Sequence, residues 1–129
     1  MPVALDHIIV HATDPHRSAG LLASVLGVPV LPDWGPFVRV QTGNWVTIDY
    51  MRDDPPFTEQ HCAFLVDDET FDKGHALLLE RGIAIWADPF RHQPGEINHL
   101  YGGRGVYFDD PDGHLMELIT AQYGDTPEG

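Results

Sequence analysis

Leu5-Asp6-His7-Ile8-Ile9-Val10 and Gln60-His61-Cys62-Ala63-Phe64-Leu65-Val66 are two strand-like stretches, and each carries a histidine at its start. In the first, Leu5, His7, Ile9 and His11 fall on one face of an extended chain. At equal offsets beyond the two histidines stand Asp14 and Asp68, residues with helix-capping chemistry. A glycine suited to a left-handed helix end follows each, Gly27 and Gly82. A module used twice places one imidazole at the same point of each copy. Two imidazoles and a carboxylate make a divalent-metal site, so the repeat bears on function as well as fold.

Working outward, Asp14-Pro15 reads as a helix start, and Leu21, Leu22, Val25 and Leu26 supply its apolar stripe. Strands are expected around 28–31, 37–41 and 45–51, between Pro, Gly and Asn. The stretch 52–59, with Asp53-Asp54-Pro55-Pro56, reads as a linker. The second half repeats the order. A strand at 61–66 leads to a helix from Asp68 to Arg81, then to strands near 83–86, 105–108 and 115–120. Asp110-Pro111-Asp112-Gly113 is a strong turn between the last two. Residues 88–104, rich in Gly, Pro and His, break the symmetry and read as a loop over a site. The expected fold is α+β: one domain over 1–129, built of βαβββ modules at about 4–51 and 60–120. From Gly124 the chain reads as a loose tail.

With 129 residues, 43% of them hydrophobic, the chain is long enough to bury a core and too apolar to be disordered. Seven basic residues against twenty acidic ones give a formal charge of −13. That surface repels phosphate backbones and anionic lipid, which argues against nucleic-acid and membrane partners. A lone cysteine, Cys62, excludes an internal disulfide. No apolar run has transmembrane length and the N-terminus lacks a signal pattern, so a cytoplasmic location is expected.

The third ligand should be a carboxylate facing the same interior as His7 and His61. Glu117 stands in the otherwise apolar Leu115-Met116-Glu117-Leu118-Ile119, where a carboxylate is costly unless something cationic or hydrogen-bonding meets it. A single histidine is more often an ordinary surface or core residue. The symmetric pair together with Glu117 favours a metal.

With these residues in place, the chain resembles the vicinal-oxygen-chelate superfamily of glyoxalases, bleomycin-resistance proteins, fosfomycin-resistance enzymes and extradiol dioxygenases. The resemblance runs from about Leu5 to Thr120. It rests on Asp6-His7, on His61-Cys62-Ala63-Phe64 and on the run from Tyr107 to Glu117. It implies paired βαβββ modules whose curled mixed sheet cups one metal held by His7, His61 and Glu117. It also implies a small-molecule substrate with vicinal oxygens, and commonly a homodimer.

Ile97-Asn98-His99, then Val106-Tyr107, Asp110-Pro111-Asp112-Gly113 and Glu117, is similar to the extradiol-dioxygenase signature. That likeness makes His99 and Tyr107 candidate catalytic groups and favours Fe(II) or Mn(II). The resemblance has departures. Extradiol enzymes carry a further histidine on the strand matching Trp45–Tyr50, and none is present. Glyoxalases, which use Zn or Ni, place a glutamate ligand there. Aligning Gly43 with Gly113 puts Thr47 opposite Glu117, whereas the apolar pattern selects Asp49, a candidate ligand or general base. A glyoxalase-like isomerase or lyase is therefore the alternative. A fosfomycin-type enzyme would need a basic pocket, for which Arg91 and Arg104 are the available groups. A metal-free antibiotic binder would need an aromatic groove, for which Trp34, Trp45, Trp86 and Tyr101 are available.

Overall fold

In a computed structural model, which describes residues 2–124, the chain divides into two compact units, residues 1–58 and 59–129. The division falls inside the stretch that reads as a linker. The tail expected beyond Gly124 lies outside the described residues.

The first unit comprises β1 (His7–Ala12), α1 (Pro15–Leu26), β2 (Phe37–Gln41) and β3 (Thr47–Arg52). Its sheet has the order β1-β3-β2, with β1 parallel and β2 antiparallel to the central β3. α1 starts where expected: Asp14 accepts a hydrogen bond from the Arg17 amide at 3.3 Å, and Pro15 occupies the first turn. It ends at Gly27, whose φ of 71° is the left-handed conformation that glycine adopts without a Cβ clash. Leu22, Ala23 and Val25 are buried on this helix, which packs on β2 and β3.

The strand expected at 28–31 is reduced to a single bridge between Val30 and Val40. Pro29 and Pro32 flank it, and a proline has no N–H to give a ladder. The first unit is thus βαββ with a vestigial third strand.

The second unit comprises β4 (His61–Leu65), α2 (Asp68–Glu80), β5 (Ile85–Trp86), β6 (Gly105–Asp109) and β7 (Leu115–Ile119). Its sheet order is β4-β7-β6-β5, and β7 is buried along its whole length. Here the expected cap is off by one: Asp67, not Asp68, accepts from the Thr70 amide at 2.8 Å. Val66 still donates to the Ile119 carbonyl, so the chain turns into the helix directly after that bond. Phe71, Gly74 and Leu78 form the buried stripe of α2. Arg104 fastens the helix to the start of β6 through Asp68 and Asp72, with its guanidinium 4.4 Å from the Phe71 ring.

The two β-turns preceding β3 and β7 hold one left-handed residue each at matching places, Trp45 (φ 71°) and Gly113 (φ 86°). Glycine is free there, whereas tryptophan is strained, and Trp45 is 80% exposed. Trp45→Gly is therefore expected to raise stability by about 0.5–1 kcal/mol, since relief of strain outweighs the added chain entropy. Thermal melts of the two proteins decide it; an unchanged or lower midpoint would show that the indole makes up for its backbone.

Candidate functional site

The second unit brings two of the expected ligands together. Glu117 sits at the centre of β7, 1% exposed, and Ala63 of β4 and Tyr107 of β6 are its ladder partners. His61 begins β4 on an exposed edge of the sheet, and its Nε2 lies 2.9 Å from Glu117 Oε1. The position of His61 is fixed from behind. The Gln60 amide donates to Nδ1 of buried His114 at 3.0 Å, while the Gln60 carbonyl accepts from the Leu115 amide at 2.8 Å. His114 is itself held by the hairpin turn, where Asp110 Oδ1 accepts from the amides of Asp112 and His114. The Asp-Pro-Asp-Gly turn thus orders the start of β4 as well as joining β6 to β7. Burial pushes the Asp110 carboxyl above its usual range, against these two amide bonds.

Tyr107 is buried, with its ring tilted against His61 at 5.9 Å between centroids. Its hydroxyl is 3.4 Å from that of Tyr123, and the Tyr123 hydroxyl in turn donates to Glu117 Oε2. Burial raises the Tyr107 phenol above its usual pKa; the Tyr123 hydrogen bond works against this and the Glu117 charge adds to it. At neutral pH Tyr107 is accordingly a proton donor and not a base.

The first unit contains His7 and Asp49. His7 lies on β1, an edge strand, half-exposed, with Nδ1 2.6 Å from Asp6 Oδ2. That hydrogen bond raises the imidazole's pKa, burial lowers it, and the Asp49 charge raises it further. The register answers the choice between Thr47 and Asp49. Thr47 pairs with His7 and Asp49 with Ile9, just as Leu115 pairs with His61 and Glu117 with Ala63. Asp49 therefore holds the ladder place of Glu117, and Arg39, its partner on β2, holds that of Tyr107. Asp49 is 3% exposed, and neither its Oδ1 nor the buried Arg39 Nε has a hydrogen-bond partner among the described residues.

His99 is exposed and lines an open cleft of about 420 Å³ with Asp67, Asp68, Arg104 and Thr120. No hydrogen bond joins it to Tyr107 or Glu117 among the described residues. Arg91 binds Asp109 through two nitrogens and approaches Glu59, and Arg104 is engaged with Asp68 and Asp72. Sequence reasoning missed Tyr123 and Arg39. Tyr123 lies in a turn beyond the end of β7, where strand periodicity gives no signal.

The donor set suits a divalent cation. A buried carboxylate meets an imidazole and phenols, with no lysine or arginine paired to it among the described residues. Among the described residues no group of three or more His, Cys, Asp or Glu side chains is gathered, so His61 and Glu117 are a pair within their unit.

This fold defines a class. The model of the Glyoxalase/Bleomycin resistance protein/Dioxygenase superfamily matches residues 4–118, and the chain belongs to that superfamily. Two solved oxidases are similar to it throughout. Oxidase ChaP-H2 is 46% identical with a TM-score of 0.94, covering 100% of both chains. Oxidase ChaP-H1 is 50% identical with a TM-score of 0.91, covering 95% of this chain and 98% of its own. The metallothiol transferase FosB of Lysinibacillus sphaericus is 24% identical over 127 residues, 95% of this chain and 85% of its own. Together these relatives support a metal-dependent enzyme that modifies a small molecule. No helix among the described residues is long and apolar enough to cross a membrane.

Proposed function

We propose that the chain is a metal-dependent oxidase of the dioxygenase type, acting on a small molecule with two adjacent oxygens. The observation that carries this reading is the buried Glu117 carboxylate, met by His61 on one oxygen and by a phenol on the other, with Tyr107 beside it. His7, His61 and Glu117 are the proposed ligands of one divalent metal, Fe(II) or Mn(II). Bound there, the metal would supply Lewis acidity and a place for two substrate oxygens. The chain's own part is then positional. Tyr107 donates a hydrogen bond to a substrate oxygen as charge develops on it, and Asp49, with a buried unpaired oxygen, accepts a substrate hydroxyl proton. His99 keeps its proposed role only as a group at a neighbouring cleft.

The similarity to two oxidases at 46% and 50% identity favours oxygen chemistry without singling out extradiol cleavage. Commitment of Arg91 and Arg104 to carboxylates disfavours a phosphonate substrate. We also propose a homodimer, because β1 and β4 are edge strands that expose Ile9 and Leu65 beside their histidines. One observation favours a second reading. Asp49, at the ladder place of Glu117, suits a fourth ligand and hence a glyoxalase-like isomerase using zinc or nickel.

Elemental analysis of protein purified without chelator or affinity metal tests the proposal, followed by oxygen uptake with a panel of catechols and hydroquinones. Iron or manganese with substrate-dependent uptake supports it. Zinc or nickel without uptake supports the second reading, and consumption of fosfomycin with a thiol overturns both. His7→Ala is expected to abolish metal retention while the circular dichroism spectrum is unchanged, because His7 is exposed on an edge strand. Retained metal in the folded variant would remove His7 from the ligand set.

A further inference from the structure

Beyond β7 the chain brings a second phenol to Glu117. Tyr123 donates to Glu117 Oε2, lies 3.4 Å from the Tyr107 hydroxyl, and packs its ring 4.9 Å from that of Tyr101. Tyr101 and Tyr123 are each 38% exposed, while the carboxylate beneath is 1% exposed. The two rings form an outer cover on that oxygen.

Several independent features mark this cover as built for the site. Tyr101 has a left-handed backbone (φ 55°, ψ 30°), a conformation that costs a non-glycine residue about 1–3 kcal/mol and persists where neighbours enforce it. It belongs to the loop 88–104, whose base is tied down: Asp88 accepts from the amides of Phe90, His92 and Gln93, and the Asn98 side chain donates to the Ala87 carbonyl. A Cβ on Gly105 would stand 2.7 Å from Asn98 Oδ1, so that anchor requires the glycine. The first unit has no counterpart. Six residues beyond Asp49 stands Pro55, where Tyr123 stands six beyond Glu117. Tyr123 also lies past residue 118, where the superfamily match ends.

A carboxylate ligand has two oxygens and can grip a cation with one or both. Oε1 of Glu117 faces His61, whereas Oε2 is engaged by the phenol. We infer that Tyr123 is a positioning residue that holds Glu117 to one-oxygen ligation, keeping a coordination place open for substrate, with Tyr101 as its brace. This rests on the proposed role of Glu117 as a ligand. A phenol donating to an anionic oxygen makes a strong, charge-assisted bond, and such outer partners are worth about 10–100-fold in metal affinity or activity. Freed of it, Oε2 would be available to a bound cation in place of a water.

The test uses the full chain loaded with Mn(II) alone, comparing the wild type, Tyr123→Phe and Glu117→Gln. Affinity is read by calorimetry and bound water by water-proton relaxation. Tyr123→Phe is expected to stay folded and to lose about one exchangeable water from the bound Mn(II). Equal hydration in the wild type and Tyr123→Phe overturns the inference and leaves the ligand role of Glu117 standing. Tighter Mn(II) binding by Tyr123→Phe at unchanged hydration also overturns it, because the phenol would then compete for the metal's own place. A wild type that binds no Mn(II), or a Glu117→Gln that binds it equally well, defeats the ligand reading itself and this inference with it.

Discussion

Glu117→Leu is expected to yield a protein that is more stable without metal and unable to bind it. The carboxylate occupies the centre of a strand whose five residues are all buried, between Met116 and Leu118. Its partners give up little when it goes. His61 is half-exposed and Tyr123 partly so, and water can take up both freed groups. Replacing a buried ionic contact by an apolar side chain of similar size is often stabilising, by about 1–4 kcal/mol. A rise of several degrees in the melting midpoint, measured in chelator, is the expected reading. Loss of metal affinity should exceed the roughly 10–100-fold that an outer partner is worth, because the proposed ligand itself is removed. A melting midpoint that falls in chelator would mean that the carboxylate serves the fold. That result would remove the main physical reason for reading it as functional.

The same residue illustrates what the sequence made legible. A charged residue inside Leu115–Ile119 stands out because a strand so apolar has to be central, and β7 is central. The helix starts were readable for the same kind of local reason: an aspartate satisfies free amides wherever a strand gives way to a helix. Where two aspartates adjoin, at Asp67 and Asp68, chemistry alone does not choose between them. The choice falls to Val66, whose bond to the Ile119 carbonyl fixes where the strand lets go. The expected strand at 28–31 failed for want of donors, since prolines bracket Val30.

The register of Asp49 was the harder case. Gly43 and Gly113 look like equivalent turn glycines, yet the left-handed place filled by Gly113 is filled in the first unit by Trp45. Aligning the glycines shifts the strand by two residues, which keeps the face and changes the partner. The glycines selected Thr47 and the apolar pattern Asp49, and the ladder register decides for Asp49. For the site, the pairing of His61 with Glu117 followed from residue chemistry. Tyr123 did not, because its approach to Glu117 depends on how the chain turns after Ile119, where strand periodicity no longer applies. His99 shows the converse. Proximity in sequence to Tyr107 suggested convergence, and the structure places it beside Arg104 and Thr120.

Tyr107→Phe is expected to reduce kcat/KM by roughly a hundredfold, about 2.7 kcal/mol of transition-state stabilisation, on whichever substrate the oxygen-uptake panel identifies. The phenol is raised above its usual pKa by burial, so it keeps its proton throughout the neutral range and can only donate. Removing the hydroxyl removes one donor at the place where charge develops and little else. In the resting protein its partner is the Tyr123 hydroxyl at 3.4 Å, a long contact, and the ring packed on His61 is retained by phenylalanine. The melting midpoint should therefore move by less than the shift expected for Glu117→Leu. Mn(II) affinity should match the wild type, since Tyr123 holds Glu117 Oε2 with or without the Tyr107 hydroxyl. A structural phenol would give the opposite pattern, with lower stability and unaltered turnover. A variant that kept full activity would leave Asp49 as the group on which the chemistry depends and would move the balance toward the isomerase reading, in which that carboxylate binds the metal.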